Sequence, residues 1–243
     1  SVIKQMDLVI VRENTEGLYA DRNMFMGSGE FMPTEDVALS VRKITRQGCE
    51  RIAKQAFEMA MERRKKVTAV HKANVLRMTD GLFLKTVMEV AKGYPSVEVE
   101  ELIIDAATAH LVKRPEDFDV IVTTNAFGDI LSDLCSELSG SLGLAGSINA
   151  GKGHVFAQAQ HGSAPDIAGK GVANPTALML STAMLLEELG RRTSRNDLAQ
   201  ASASMFKAVE LALGDPASHT PDLGGKNSTA GFGKAVLAAL DKE

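Results

Sequence analysis

Four clusters of polar residues in this 243-residue sequence carry side chains capable of chemistry. Asp129 and Asp133 stand four apart within a helical pattern, which sets both carboxylates on one face, a turn from each other. A hard divalent cation such as Mg²⁺ or Mn²⁺ would offset their repulsion, taking oxygen ligands and completing its shell with substrate and water; a plain solvated face is the reading that spacing alone favours. Asp105 follows an apolar run at residues 102–104 and falls at a strand's carboxyl end, where α/β proteins place ligands. His71, Lys72 and Asn74 follow the run at residues 66–70 in the same way. Lys72 is there a general base, if burial or a neighbouring cation lowers its pKa, or an ordinary loop lysine. Arg12, Glu13, Asn14, Glu16 and Tyr19 follow a third such run, residues 8–11. Arg12 suits a bidentate grip on a carboxylate, and Tyr19 suits proton donation.

A long loop, His161-Gly-Ser-Ala-Pro-Asp166-Ile-Ala-Gly169-Lys-Gly171-Val-Ala-Asn174-Pro, leads into a helix capped by Asn174. Asp166 could accept hydrogen bonds from ribose hydroxyls while repelling an extra phosphate; the same loop could also be a structural Ω-type excursion. Residues 146–153 nearly spell a phosphate-binding P-loop, but Gly153 stands where a hydroxyl must reach Mg²⁺, and a helix is expected before the loop instead of a strand. That excludes a P-loop nucleoside triphosphatase. No Gly-x-Gly-x-x-Gly is present, so the Rossmann fingerprint is absent as well.

The elements that must position these clusters follow from periodicity. Strands are expected at residues 8–11, 37–41 (half-buried), 66–70, 97–104 and 119–124, and helices at 45–64, 79–92 and 128–138. The charge run at 62–66 reads as a solvated helix end. The last third is mainly helical, with Pro175 in a first turn, helices to Leu189 and over 196–213, and a final one started by Ser228 or Thr229. Alternating strands and helices give the α/β class. A shift to Gly, Ser and Ala after residue 139 divides the chain into domains 1–139 and 140–243.

Composition narrows the function. Hydrophobic residues make up 44% and charged residues 24%, which suits a packed globular chain, and the net charge of -4 offers no footprint for nucleic acid or anionic lipid. No apolar run approaches the roughly 20 residues that span a bilayer. Cys49 and Cys135, far from any metal-binding spacing, fit a reducing cytoplasm.

Taken together, Val11-Arg-Glu-Asn-Thr-Glu-Gly17, His71-Lys-Ala-Asn74, Asn125-Ala-Phe-Gly-Asp-Ile-Leu-Ser-Asp133, the 161–175 loop and Asp222-Leu-Gly-Gly225 resemble, in order, the metal-dependent β-decarboxylating dehydrogenases of the isocitrate/isopropylmalate family. The likeness runs from Asp7 to Leu240. It implies that family's two-domain α/β fold, with 1–139 most of the smaller, dimer-forming domain and 140–243 the carboxyl-terminal part of the larger. It implies Mg²⁺ or Mn²⁺ on Asp129 and Asp133, with Asp105 contributed from the other subunit of a homodimer, and Lys72 likewise reaching across as base. Arg12 matches the arginine on the substrate carboxylate, Tyr19 the proton donor and Asn74 a residue near the nicotinamide. His161, Asp166, Ile167 and Asn174 match the adenosine loop, with Asp166 of the NAD type. Residues 21–33 resemble the stretch before the dimer clasp.

His71 before Lys72, and Asn14-Thr15-Glu16, look more like isocitrate or homoisocitrate enzymes than isopropylmalate enzymes, so oxidative decarboxylation of isocitrate with NAD⁺ is the leading expectation. Homoisocitrate, 3-isopropylmalate and malate or tartrate stand as alternatives, and a non-catalytic regulatory subunit is the reading of another class. About the first third of a family member is expected to be missing, including a substrate-specificity helix, and the uncovered sheet edge to favour association.

Overall fold

A computed structural model describes residues 6–19 and 23–241. They fall into two compact units, one ending at Cys135 and the other beginning at Ser136.

The first unit is built on a parallel four-stranded sheet in the order β1-β6-β4-β5: β1 is Val9–Arg12, β4 Lys66–His71, β5 Glu98–Ile103 and β6 Val120–Thr123. Strand β6 is a continuous apolar run, and β4 is buried from Val67 onward around a single Thr68, because both of their faces are covered. Val67, Ala69, Val120 and Val122 share a core with Phe57, Phe83 and Val87, while their alternates Val70 and Ile121 are buried as well. Helix α1, Arg46–Met61, supplies Ala53, Ala56, Phe57 and Ala60, apolar at three- and four-residue steps, and packs against α2, Thr79–Ala91. Thr45 caps α1, its hydroxyl accepting the Gly48 N–H at 3.1 Å. Phe57 stacks on Tyr94 with ring centroids 5.1 Å apart.

Three features depart from expectation. Strands β2, Glu30–Thr34, and β3, Val37–Ser40, pair only with each other, and both are exposed throughout, not half-buried. Alternating polarity at 37–41 marks a ribbon with no sheet behind it. Helix α3, Ile104–Lys113, begins where β5 ends, so Asp105 sits in a helix's first turn. The charge run after α1 is not a freely solvated end: Arg63 binds Asp7 and the buried Asp119, and Arg64 reaches Asp7 and the Phe118 carbonyl.

The second unit contains an antiparallel hairpin of β7, Gly146–Ala150, and β8, Val155–Ala159, against which α5, Thr176–Thr193, packs. Helices α6, Asn196–Gly214, and α7, Thr229–Leu240, enclose Ala208, Val209, Phe232 and Val236. The P-loop-like segment is this hairpin. The helix at Asn125–Ser139 and a short helical turn at Leu142–Leu144 precede it, as expected, and a second strand leaves where a P-loop needs a helix, so the exclusion holds. Among the described residues no helix is long and apolar enough to cross a membrane.

Candidate active site

The parallel strands deliver Arg12, His71 and the Thr124–Asn125 junction to the same edge of the sheet, their carboxyl ends. Helix α4, Asn125–Ser139, starts directly after β6. Arg12, the last residue of β1, lies against that start. Its Nε and one terminal nitrogen donate to Asn125 Oδ1 at 3.0 and 2.7 Å, and the other terminal nitrogen to Asp129 Oδ1 at 2.5 Å. Gly128 makes the approach possible: a Cβ there would fall 2.5 Å from Arg12 Cγ.

The turn after Arg12 is fixed by two buried carboxylates. Glu13 accepts the Thr15 and Glu16 N–H groups and an Arg51 nitrogen, all at 3.0 Å. Glu16 accepts the N–H and hydroxyl of Thr45, both at 2.7 Å, joining this turn to the α1 cap. Asn125 Nδ2 donates to the Glu16 carbonyl, and the Gly17 N–H to the Lys43 carbonyl. Tyr19 follows and is 53% exposed. Residues 20–22 lie outside the described residues, and with them part of the expected clasp stretch.

Lys72 follows β4. Its Nζ pairs with Asp105, whose carboxyl is held below its ordinary value by that hydrogen bond. Its backbone N–H donates to Asp80 Oδ2 at 2.6 Å. His71 is buried, its Nδ1 accepting the Ala73 N–H at 2.9 Å. Asn74 lies exposed in the following turn.

Asp129 and Asp133 are both on α4, and Asp105 is on α3. Their chemistry, oxygen donors on accessible helix faces, fits a hard cation, although Asp129 is paired with Arg12 and Asp105 with Lys72. Among the described residues, however, no three His, Cys, Asp or Glu side chains converge to hold a metal.

In the second unit Asn174 is buried, its Oδ1 accepting the Thr176 N–H at 3.0 Å and its Nδ2 donating to Asp222 at 3.0 Å. Asp222 also accepts from Ser141 and Thr220. Burial opposes its ionisation, but these hydrogen bonds prevail and hold the carboxyl below its ordinary value. The motif's last glycine is required too, since a Cβ at Gly225 would lie 1.9 Å from the His219 carbonyl oxygen. The loop is tied again where Gly171 and Ala173 accept from Thr229. His161, Asp166 and Ile167 lie on its outer stretch, His161 and Asp166 exposed and Ile167 half-exposed. An exposed acceptor on a loop pinned at its far end fits a ribose.

Sequence reasoning passed over Asp80, Arg42 and the contacts of Asp222. Asp80 stands in the first turn of a helix, where an acidic residue ordinarily complements the dipole, so nothing local marked it.

Residues 1–236 match the family profile "Isocitrate/isopropylmalate dehydrogenase". An isocitrate/homoisocitrate dehydrogenase of Thermus thermophilus is 50% identical over 97% of this chain, which spans 66% of that protein. The mitochondrial NAD isocitrate dehydrogenase catalytic subunit 5 of Arabidopsis thaliana is 45% identical over 97% of this chain and 60% of its own length. The crystal structure of isocitrate dehydrogenase from Methylococcus capsulatus superposes with a TM-score of 0.88 at 44% identity, covering 98% of this chain and 68% of that one. Motifs, sheet order and these likenesses agree, and the chain belongs to the isocitrate/isopropylmalate dehydrogenase family.

Proposed function

We propose that this chain takes part in the NAD⁺- and divalent-metal-dependent oxidative decarboxylation of isocitrate to 2-oxoglutarate, with active sites shared across a homodimer. The observation that carries the reading is Arg12 set beside Asp129 at the strand ends, a carboxylate-binding cation next to a cation-binding carboxylate. A 2-hydroxy acid with a neighbouring carboxylate presents the complementary pair.

Asp129 and Asp133 would hold Mg²⁺ or Mn²⁺, completed by Asp105 of the partner subunit. When bound, the cation supplies electrostatic stabilisation of oxygen charge as CO₂ departs, and NAD⁺ supplies the hydride acceptor. Arg12 orients the acid through its carboxylate, with Asn125 fixing the plane of the guanidinium. Lys72 takes the hydroxyl proton once its nitrogen leaves Asp105, and Tyr19 returns a proton to carbon from its exposed position. Asp166 accepts ribose hydroxyls and repels a 2′-phosphate; His161, Ile167 and Asn174 shape the adenosine loop, and Asn74 lies near the nicotinamide.

The exposed β2–β3 ribbon supports the dimer. A lone hairpin is marginal in water, yet Phe31, Met32, Val37 and Leu39 are all more than 40% exposed on it, a surface suited to a second copy of the chain. Homoisocitrate is the second reading, because the Thermus relative is named for both acids.

The test follows NADH absorbance of the full-length protein with NAD⁺, Mg²⁺ and isocitrate, homoisocitrate, 3-isopropylmalate, malate or tartrate in turn. Turnover on isocitrate, lost in Lys72→Met and Asp129→Asn variants that keep their fold, supports the reading. Silence on all five acids overturns it.

A further inference from the structure

We infer that Asp80 and Arg42 form the positioning unit that holds Lys72 in place as base, an inference that rests on the function proposed above. Asp80 is fully buried, and its carboxylate is divided between two tasks. One oxygen accepts the backbone N–H of Lys72 at 2.6 Å; the other accepts from Arg42. Arg42 is itself shielded, and its remaining donors reach Thr79 Oγ1 and Thr124 Oγ1, both at 2.9 Å, with the guanidinium carbon 5.5 Å from the centre of the Phe127 ring.

The segments joined here each carry residues assigned to the shared sites. Thr124 directly precedes Asn125, whose side chain holds Arg12, and it opens the helix that carries Asp129 and Asp133. Lys43, next to Arg42, accepts the Gly17 N–H two residues before Tyr19. A single buried ion pair therefore ties the end of β4 to the start of α4 and to the Tyr19 turn. Removing a carboxylate from water is costly, and an apolar pair of similar volume would often stabilise a core as well, so cohesion alone is a weak reason for such a pair. Geometry is a better one. Asp80 anchors Lys72 at its amide, the point from which the side chain reaches once Nζ leaves Asp105, and a base displaced by about 1 Å can lose on the order of 10²-fold in rate.

The inference is tested in the full-length protein with Asp80→Asn and the conservative Arg42→Lys. Rates are followed with isocitrate and with isocitrate deuterated at the carbinol carbon, and Lys72 amide exchange is measured in parallel. Asp80→Asn is expected to lower kcat by about 30- to 100-fold with the KM for isocitrate within about twofold, to enlarge the deuterium isotope effect on kcat, and to speed exchange at the Lys72 amide while β4 stays protected. Arg42→Lys, which keeps the charge and gives up the fork, should retain most of the rate. A smaller folded fraction would lower kcat without changing the isotope effect, and that result overturns the inference, as does a rate near that of the unmodified protein. Should Asp80→Asn fail to fold, Arg42→Gln, which removes the charge facing Asp80, decides alone: an unchanged isotope effect and Lys72 exchange overturn the inference, and increases in both support it. Silence of the unmodified protein on every acid removes the base and this role with it, an outcome visible before any variant is made.

Discussion

Gly128→Ala separates the grip of Arg12 from the stability of the fold. The added methyl would meet Arg12 Cγ at 2.5 Å and Cβ at 2.7 Å. These are the near atoms of the side chain, fixed by β1, so rotation further out gives no relief. Restoring ordinary contact at 3.4 Å requires β1 and α4 to part by about 0.9 Å. The Arg12–Asn125 bonds, now 3.0 and 2.7 Å, would stretch beyond hydrogen-bonding range. With the guanidinium plane released, one charged hydrogen bond to the substrate carboxylate is lost, about 1.5–3 kcal/mol or roughly 10- to 100-fold in kcat/KM, mostly through KM. Stability should fall by no more than about 2 kcal/mol, because alanine gains up to about 1 kcal/mol within a helix against an overpacking cost of about 1–3 kcal/mol. Steady-state kinetics on isocitrate and a thermal melt of one preparation check both halves. An unchanged KM with an unchanged melting temperature would refute the assignment of Arg12 as the carboxylate grip.

Further outcomes follow from charge and burial. Arg12→Met should tighten Mn²⁺ binding in the absence of any acid by about two- to fivefold, since it removes the cation now paired with an exposed Asp129; electron paramagnetic resonance reads free Mn²⁺ directly, and equal or weaker binding counts against Asp129 as a ligand. Asp222 sits below its ordinary 3.8, so its contribution to stability is complete well above that pH and fades as the pH falls through the lowered value; Asp222→Asn should flatten the acid-side decline in urea melts below about pH 4, and curves that remain parallel would show that the charge contributes nothing. Burial pushes the Cys49 and Cys135 thiols up to about 12, so a thiol-specific reagent at pH 8 should label neither until urea unfolds the chain, and prompt labelling of the folded protein would contradict their burial. Gly81→Ala, in α2 with open space at the Cβ position, should stabilise by about 0.5–1 kcal/mol in the same melts; a loss would mean that the helix start relies on glycine.

What the sequence discloses depends on the range of the interaction. Strands β4 and β6 are legible because both faces are buried and the residues are β-branched or apolar nearly throughout, and the polar residues at and beyond each strand end mark the site edge without further information. Helix boundaries at Thr45 and Ser228 are legible for a similar reason, since a cap acts within three residues. The β7–β8 hairpin is hidden because Gly146, Ser147 and Ala150 have little strand preference, and it is held from outside: the Ser147 N–H bonds the hydroxyl of Ser181, 34 residues on. Helix α3 is hidden because the β-branched pair at residues 103 and 104 prolongs the strand pattern past its end. Asp80 and Arg42 are 38 residues apart, and nothing near either one announces the other.

The paired aspartates show why spacing alone is a weak argument for a metal. Like charges four apart on an exposed helix face repel by only about 0.2–0.5 kcal/mol, which a fold of this size absorbs without any cation. What distinguishes Asp129 is a neighbour distant in sequence, Arg12, at 2.5 Å; what distinguishes Asp105 is Lys72. Two of the three carboxylates proposed for the metal, Asp129 and Asp105, are thus each matched by a cation proposed for the organic acid or for its proton. In a single chain the two pairs are closed on themselves and nearly neutral, so neither half-site stores much repulsion while it is empty. An acid that draws Arg12 onto its own carboxylate releases Asp129, and a hydroxyl that engages Lys72 releases Asp105. On the function proposed above, the charges left behind are negative and made of oxygen, the environment a hard cation needs, so the acid and the cation should each strengthen the binding of the other.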